Sequence, residues 1–184
     1  MPAPSRIAVV GSSGSGKSTV AGQIAVILAI RHVELDALHW KPGWTEAADD
    51  EFHELVDKAT DNHEWVVDGN YGVVRDLVWR RANVLVWLDY SFLRTLVQLV
   101  RRTVSRVITG EELWAGNRET LSDALGTDSI IVWLFRSYRR HRRQYPELVR
   151  RPDYSHLEVV RLHHPSQTDA WLRDLARRVR SDPP

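Results

Sequence analysis

The sequence predicts an α/β fold of three layers: a five-stranded parallel sheet flanked by helices on both faces, with a helical lid. Two observations carry this expectation. Short apolar runs alternate with amphipathic helical stretches along the whole chain, and four of the five runs end at Gly11, Asp36, Asp68 or Asp89. Such alternation places crossover helices on both faces of a parallel sheet, and ligands bind outside the carboxyl ends of its strands. The 184 residues are 43% hydrophobic and 27% charged, enough for one domain (1–184) with its own core.

Residues 7–10 form the first apolar run, ending at a glycine as a buried parallel strand does. Val20, Ile24, Ile27 and Leu28 then recur at helical spacing over residues 17–29. A second strand is expected over 32–35, ending at Asp36. Thr45 reads as the N-cap of a helix over 46–60, whose first turns carry acidic side chains. Residues 65–67 form a third strand before Asp68-Gly69, and 71–81 a helix. Residues 84–88 form the clearest strand, followed by a helix over 91–108. Residues 109–126 have no sustained period and read as a loop or lid. A long basic helix is expected over 127–149, a last strand over 157–160 and a last helix over 166–180.

Composition excludes several classes. The chain has no cysteine, which removes disulfides, thiol nucleophiles and thiolate metal sites. Its longest uninterrupted apolar run, residues 24–30, is far shorter than a bilayer span, and the N-terminus does not read as a secretory signal. A cytoplasmic protein without a membrane partner is the expectation. The formal charge of +1 argues against a general nucleic-acid coat. The charge is divided unevenly: residues 1–90 carry a net −5 and residues 91–184 a net +6, and arginines outnumber lysines 22 to 3. The basic half is suited to an anionic ligand.

Gly11, Ser12, Ser13, Gly14, Ser15, Gly16, Lys17 and Ser18 satisfy G-x-x-x-x-G-K-S/T at every position, between a strand and a helix. The glycines let several backbone amides converge on one anion, and the helix N-terminus adds its positive end. Lys17 can reach β- and γ-phosphates, Ser18 can ligate Mg²⁺, and Thr19 completes the binding stretch. The motif predicts a nucleoside triphosphate such as ATP.

Mg²⁺ takes oxygen ligands, usually a carboxylate besides waters and phosphates. Asp68, followed by glycine, is the expected metal partner of Ser18. Asp36 is the expected acceptor-side group, able to take a hydroxyl proton. Helix capping or a salt bridge is the alternative for each, and stands level for Asp89. Trp40, Trp44, Trp65, His39 and Tyr71 form an aromatic strip suited either to stacking on a planar acceptor or to core packing. Arg94, Arg101, Arg102 and Arg106 lie on the helix entering the lid, and Arg118 within the lid. Leu93, Leu96, Val97, Val100, Val104 and Val107 are expected to bury one face of that helix and display its arginines. Arg101, Arg102 and Arg118 are expected to close over the transferring phosphate, with a solvated face as the alternative. Arg139, Arg140, Arg142 and Arg143 form a denser cluster, open to phosphates, nucleic acid or solvent.

The succession GSSGSGKST, ELDALHW, WVVDGNY and ANVLVWLD, then an arginine-bearing lid with GNRE, resembles the adenylate-kinase-related P-loop kinases over nearly the whole chain. Within them LDALHW and DGNY are most similar to the group called DNA topology modulation proteins. The resemblance implies the P-loop NTPase fold, an Asp68 that supports Mg²⁺, phosphate contacts from Arg101, Arg102 and Arg106, and adenine contacts near residues 164–167. Adenylate kinases follow the Asp-Gly pair with an aromatic residue, Pro and Arg. Here Asn70, Tyr71 and Gly72 follow and the next arginine is Arg75, which argues against AMP as acceptor. No tyrosine stands in a nucleophile setting that would make a topoisomerase. The expected function is a Mg²⁺- and ATP-dependent phosphotransferase acting on a small acceptor. The alternative is a nucleotide-gated NTPase that binds nucleic acid or a protein partner.

Overall fold

The computed structural model of the chain describes residues 5–119 and 130–181. Five strands, β1 (Arg6–Gly11), β2 (Arg31–Glu34), β5 (Trp65–Asp68), β6 (Val84–Leu88) and β7 (Glu158–Leu162), form a single parallel sheet in the order β2-β5-β1-β6-β7. A separate two-stranded antiparallel ribbon pairs β3 (Trp40–Lys41) with β4 (Thr45–Glu46). The helices are α1 (Lys17–Leu28), α2 (Leu35–His39), α3 (Asp49–Ala59), α4 (Gly72–Arg81), α5 (Phe92–Thr109), α6 (Ile130–Leu148) and α7 (Pro165–Ser181).

The central strands are buried along their whole length, as near-continuous apolar runs require. Alternate side chains then serve two cores. Ile7 and Val9 of β1 pack with Val66, Val84, Val86, α1 and α7 on one face. Ala8 and Val10 pack with Val67, Leu85, Trp87, α3 and α4 on the other, joined by Tyr145 of α6. The parallel register aligns the carboxyl ends: Gly11 lies opposite Leu88, and Asp68 opposite both Val9 and Glu34. Among the described residues no helix is long and apolar enough to cross a membrane.

Four expectations about the elements change. The second strand stops at Glu34, so Asp36 sits in the first turn of α2 rather than on a strand. Thr45 is not a helix cap. It belongs to the ribbon, and α3 starts at Asp49 behind Ala48. The intervening turn puts Gly43 and Trp44 at positive φ (71° and 55°), a local reversal that the acidic helix pattern did not signal.

The third change concerns α5. Most of its apolar stripe is not its buried face: Leu93 is 70% exposed and Val97, Val100 and Val104 are exposed as well, whereas Leu96 packs beside Leu99 and Leu134 and Val107 is half-buried. Thr95, Leu99 and Thr103 are buried instead. That face meets two surfaces: Leu134 and Tyr138 of α6, which pack with Leu99, and the N-terminal glycine bend. Gly14, at φ 80°, lies so near that an added Cβ would fall 2.7 Å from Thr95 O and 2.8 Å from Leu99 Cβ. Small side chains and one leucine are what that approach admits. Arg106 consequently turns inward onto Glu119 (2.9 Å) and Glu111 (3.6 Å).

The fourth change is Trp65, which leaves the aromatic strip. It is fully buried at the opposite, amino-terminal end of β5, where its indole N–H donates to Thr60 O (3.1 Å). Within the expected lid, residues 114–116 form one turn of 3₁₀ helix and Glu112 bridges to Arg118. Residues 120–126 lie outside the described residues.

Candidate active site

The bend 11–18 leaves the carboxyl end of β1 and enters α1. Gly14 and Gly16 both have positive φ, and Ser15 N–H donates to Ser12 O (3.0 Å). Gly16 caps α1 in the left-handed conformation, so the first-turn amides of the helix open into the bend. Lys17 folds back so that its ammonium donates to Ser12 O (3.3 Å). Burial pushes the Lys17 ammonium below its ordinary value; Asp36 and Asp68 oppose that shift and Arg102 adds to it. These charges, from α2, β5 and α5, therefore converge on the head of Lys17.

Ser18 and Asp68 meet directly: Ser18 Oγ donates to Asp68 Oδ2 at 2.5 Å. Asp68 is 4% exposed, and its other oxygen takes a 2.9 Å contact from His32 Nε2. Burial acts to lower the His32 pKa, but the hydrogen bond and charge of Asp68, with the charge of Glu34, win and raise it. The hydroxyl and carboxylate form an all-oxygen pair of the kind a hard divalent cation takes alongside phosphate oxygens.

Asp36 stands across from this pair. Tyr71 Oη donates to Asp36 Oδ1 at 2.5 Å. Burial, together with the negative charge of Asp36, pushes the Tyr71 phenol well above its ordinary value, so it stays a neutral donor. Tyr71 is set in place by an aromatic group: His39 (centroids 4.4 Å apart) and Phe52 (5.1 Å) pack on it, and Trp40 packs between His39 and Trp44. Four members of the expected strip, Trp40, Trp44, His39 and Tyr71, thus gather near Asp36, joined by Phe52. Gly69 permits the close fit, because an added Cβ would meet Leu35 Cβ at 2.7 Å.

Asp89 separates from the other carboxylates. It is 5% exposed and accepts from Arg161 Nη2 (2.7 Å) and Nε (3.0 Å), with Arg142 Nε at 3.1 Å and His163 Nδ1 at 3.4 Å. Arg161 also covers the ring of Trp87 at 4.1 Å. The alternative of a salt bridge therefore holds for Asp89, which ties β6, β7 and α6 together.

The arginines divide in the same way. Arg102 is solvent-exposed on α5, but its charge reaches Lys17, and that of Asp36 reaches it. Arg94 and Arg101 are exposed. Arg118 is exposed and paired with Glu112 (3.7 Å). In the later cluster Arg142 belongs to Asp89, Arg140 neighbours His141, and Arg139 and Arg143 are exposed. In the segment 164–167, Gln167 accepts from His163 N–H (2.7 Å) and His164 pairs with Ser166 (2.8 Å), at the surface.

Four residues at the site had no role readable from the sequence. His32 supports Asp68, and Glu34 accepts from the Trp114 indole (3.2 Å). Asn70 spans the bend and α6: its amide bonds Gly11 in both directions, and its Oδ1 accepts from Tyr145 Oη (3.1 Å). His141 stacks on Tyr145 at 5.0 Å. Asn70 lies in WVVDGNY, directly after Asp68-Gly69, and Glu34 opens ELDALHW.

No family model and no curated protein matches the chain. Solved structures do. A gluconokinase from Sinorhizobium meliloti 1021 is 21% identical with a TM-score of 0.51, covering 96% of this chain and 95% of that one. A shikimate kinase from Bacteroides thetaiotaomicron is 12% identical with a TM-score of 0.56, covering 97% and 99%. A shikimate kinase from Acinetobacter baumannii, in complex with shikimate, is 14% identical with a TM-score of 0.60, covering 98% and 94%. At these identities the likeness is one of fold, and the chain has the α/β fold of the P-loop kinases.

Proposed function

We propose that the protein is a phosphotransferase that moves the γ-phosphoryl group of ATP to a hydroxyl of a small acceptor. The observation that carries this is the meeting of Lys17, Ser18 and Asp68 at the glycine bend, with Asp36 facing them from α2. A bend of this kind suffices for binding; the opposed, tyrosine-held carboxylate is what transfer requires. The neighbours named as gluconokinase and shikimate kinase are small-molecule kinases, which supports an acceptor of that size.

The bend amides and Lys17 hold the β- and γ-phosphates. Ser18 and Asp68 would hold Mg²⁺, which supplies charge neutralisation on the phosphates when bound. His32 fixes the second oxygen of Asp68 and so its direction. Tyr71 occupies Asp36 Oδ1, leaving Oδ2 to accept the acceptor's proton as its oxygen bonds to the γ-phosphorus. The bond between that phosphorus and the bridging oxygen breaks, and ADP leaves. Arg102, whose charge acts on Lys17, would offset charge on the transferring group, with Arg101 and Arg118 as the further candidates.

The test is ADP release with a panel of nucleosides, nucleotides, sugars, sugar acids and cofactor precursors. Lys17→Ala should abolish nucleotide binding. Asp36→Asn should keep it and lose transfer. Full transfer by Asp36→Asn on the true acceptor would overturn the role given to Asp36.

A further inference from the structure

Asn117 is a polar side chain only 6% exposed, and its whole amide is spent on tying residues 112–118 to the ribbon of β3 and β4. Its Oδ1 accepts from Trp44 N–H (3.0 Å), and its Nδ2 donates to Lys41 O and to Trp114 O (2.9 Å each). Two indoles extend the seam: Trp44 Nε1 donates to Arg118 O (3.3 Å), and Trp114 Nε1 to Glu34 Oε2 (3.2 Å). The two turns that meet here each hold a side-chain-bearing residue at positive φ, Trp44 and Ala115 (55° each). Such backbone persists only where its surroundings over-determine it, and the Asn117 amide bonds both turns.

The tied segment has a second anchor. Glu119 meets Arg106 of α5 at 2.9 Å, both side chains being largely buried, and Glu111 approaches the same guanidinium at 3.6 Å. α5 is the helix whose Thr95 and Leu99 lie against Gly14 of the glycine bend. At the other end, Trp40 of the ribbon packs on His39, and His39 on the Tyr71 that holds Asp36. We infer that Asn117 is a positioning residue: it makes residues 111–119 and the ribbon one body, so that a triphosphate seated in the glycine bend also fixes the aromatic group around Asp36. The inference rests on the kinase reading and adds an order to it, in which nucleotide prepares the acceptor side before the hydroxyl meets Asp36. The residue type suits the task. One amide presents an acceptor and two donors in a plane, and a carboxylate of the same shape has no proton for the two carbonyls.

The test is amide hydrogen exchange, read by mass spectrometry on the full chain, without and with magnesium and the non-hydrolysable triphosphate AMPPNP. In the wild type, AMPPNP should slow exchange in peptides from the bend (11–18) and also in peptides from the ribbon (40–47), by about fivefold or more. Asn117→Ala should keep the slowing at the bend and lose it at the ribbon, where exchange in the free protein should rise by about tenfold. Asn117→Asp keeps an oxygen for Trp44 N–H but sets a carboxylate against the Lys41 and Trp114 carbonyls, and should uncouple the ribbon as well. A purely structural Asn117 would raise ribbon exchange in the free variants and leave the response to AMPPNP as in the wild type, which overturns the inference. The wild-type arm decides without any variant: a protected bend beside a ribbon that ignores AMPPNP overturns it too. A bend that AMPPNP leaves unprotected overturns the kinase reading itself, and this inference with it.

Discussion

Ser18 and Asp68, fifty positions apart in the chain, share a 2.5 Å hydrogen bond at the carboxyl end of the sheet. The pairing follows from topology. β1 and β5 lie side by side in parallel, with Val9 opposite Asp68, so the end of β5 reaches the first turn of α1. Asp68→Asn keeps the size of the side chain and removes its charge. Turnover should fall by about 10²-fold or more, with the magnesium requirement shifted to higher concentration. Steady-state ADP release across a magnesium titration reads both. An unchanged magnesium profile would remove Asp68 from the metal site.

Tyr71 donates to the Asp36 carboxylate, and on the proposed mechanism it positions that group. Tyr71→Phe should therefore leave nucleotide affinity within about twofold while lowering kcat by about tenfold. Nucleotide titration followed by single-turnover transfer separates the two. A variant that loses nucleotide binding would place Tyr71 elsewhere in the mechanism.

Asp89 is a clasp, and it should matter for stability rather than chemistry. Asp89→Ala removes the shared carboxylate from Arg161 and Arg142, which are themselves partly in solvent, and should cost about 1–2 kcal/mol of unfolding free energy. The affinity for nucleotide should hold wherever the variant is folded. Denaturant unfolding and nucleotide titration together check this.

The imidazole of His141 is held down at about 4, from an ordinary 6.5, by burial first and then by Arg140, Lys17 and Arg75. The unfolded chain takes up a proton there that the folded chain refuses. Stability is therefore lost as pH falls from 6.5 toward 4, by about 2 kcal/mol between pH 7 and pH 5 from this group. His141→Phe should flatten that part of the stability profile. An identical slope in the variant would assign the loss to other groups.

Ala29 ends α1 in the left-handed conformation at φ 54°, exposed to solvent. Glycine carries no Cβ penalty there, so Ala29→Gly should stabilise by about 1 kcal/mol. A melting temperature higher by about 2–4 °C is the expected reading. Activity should not change.

What lies within a few neighbouring residues was legible from the sequence. The bend 11–18 is one continuous stretch whose glycine spacing and flanking elements specify its shape, and the buried strands announce themselves as unbroken apolar runs. Asp36, Asp68 and Asp89 look alike at that range, each just after an apolar run. Only the folded chain separates them, because their partners come from far away: Ser18 and His32 for Asp68, Tyr71 for Asp36, Arg142 and Arg161 for Asp89. The rotation of α5 was likewise decided by packing. Periodicity reports which residues share a face, while the direction of that face depends on what it meets, and at α5 the surfaces to be met were the backbone of Gly14 and the Leu134 and Tyr138 side chains of α6. The link from Gly11 through Asn70 and Tyr145 to His141 joins three separate stretches of chain, so no local pattern encodes it.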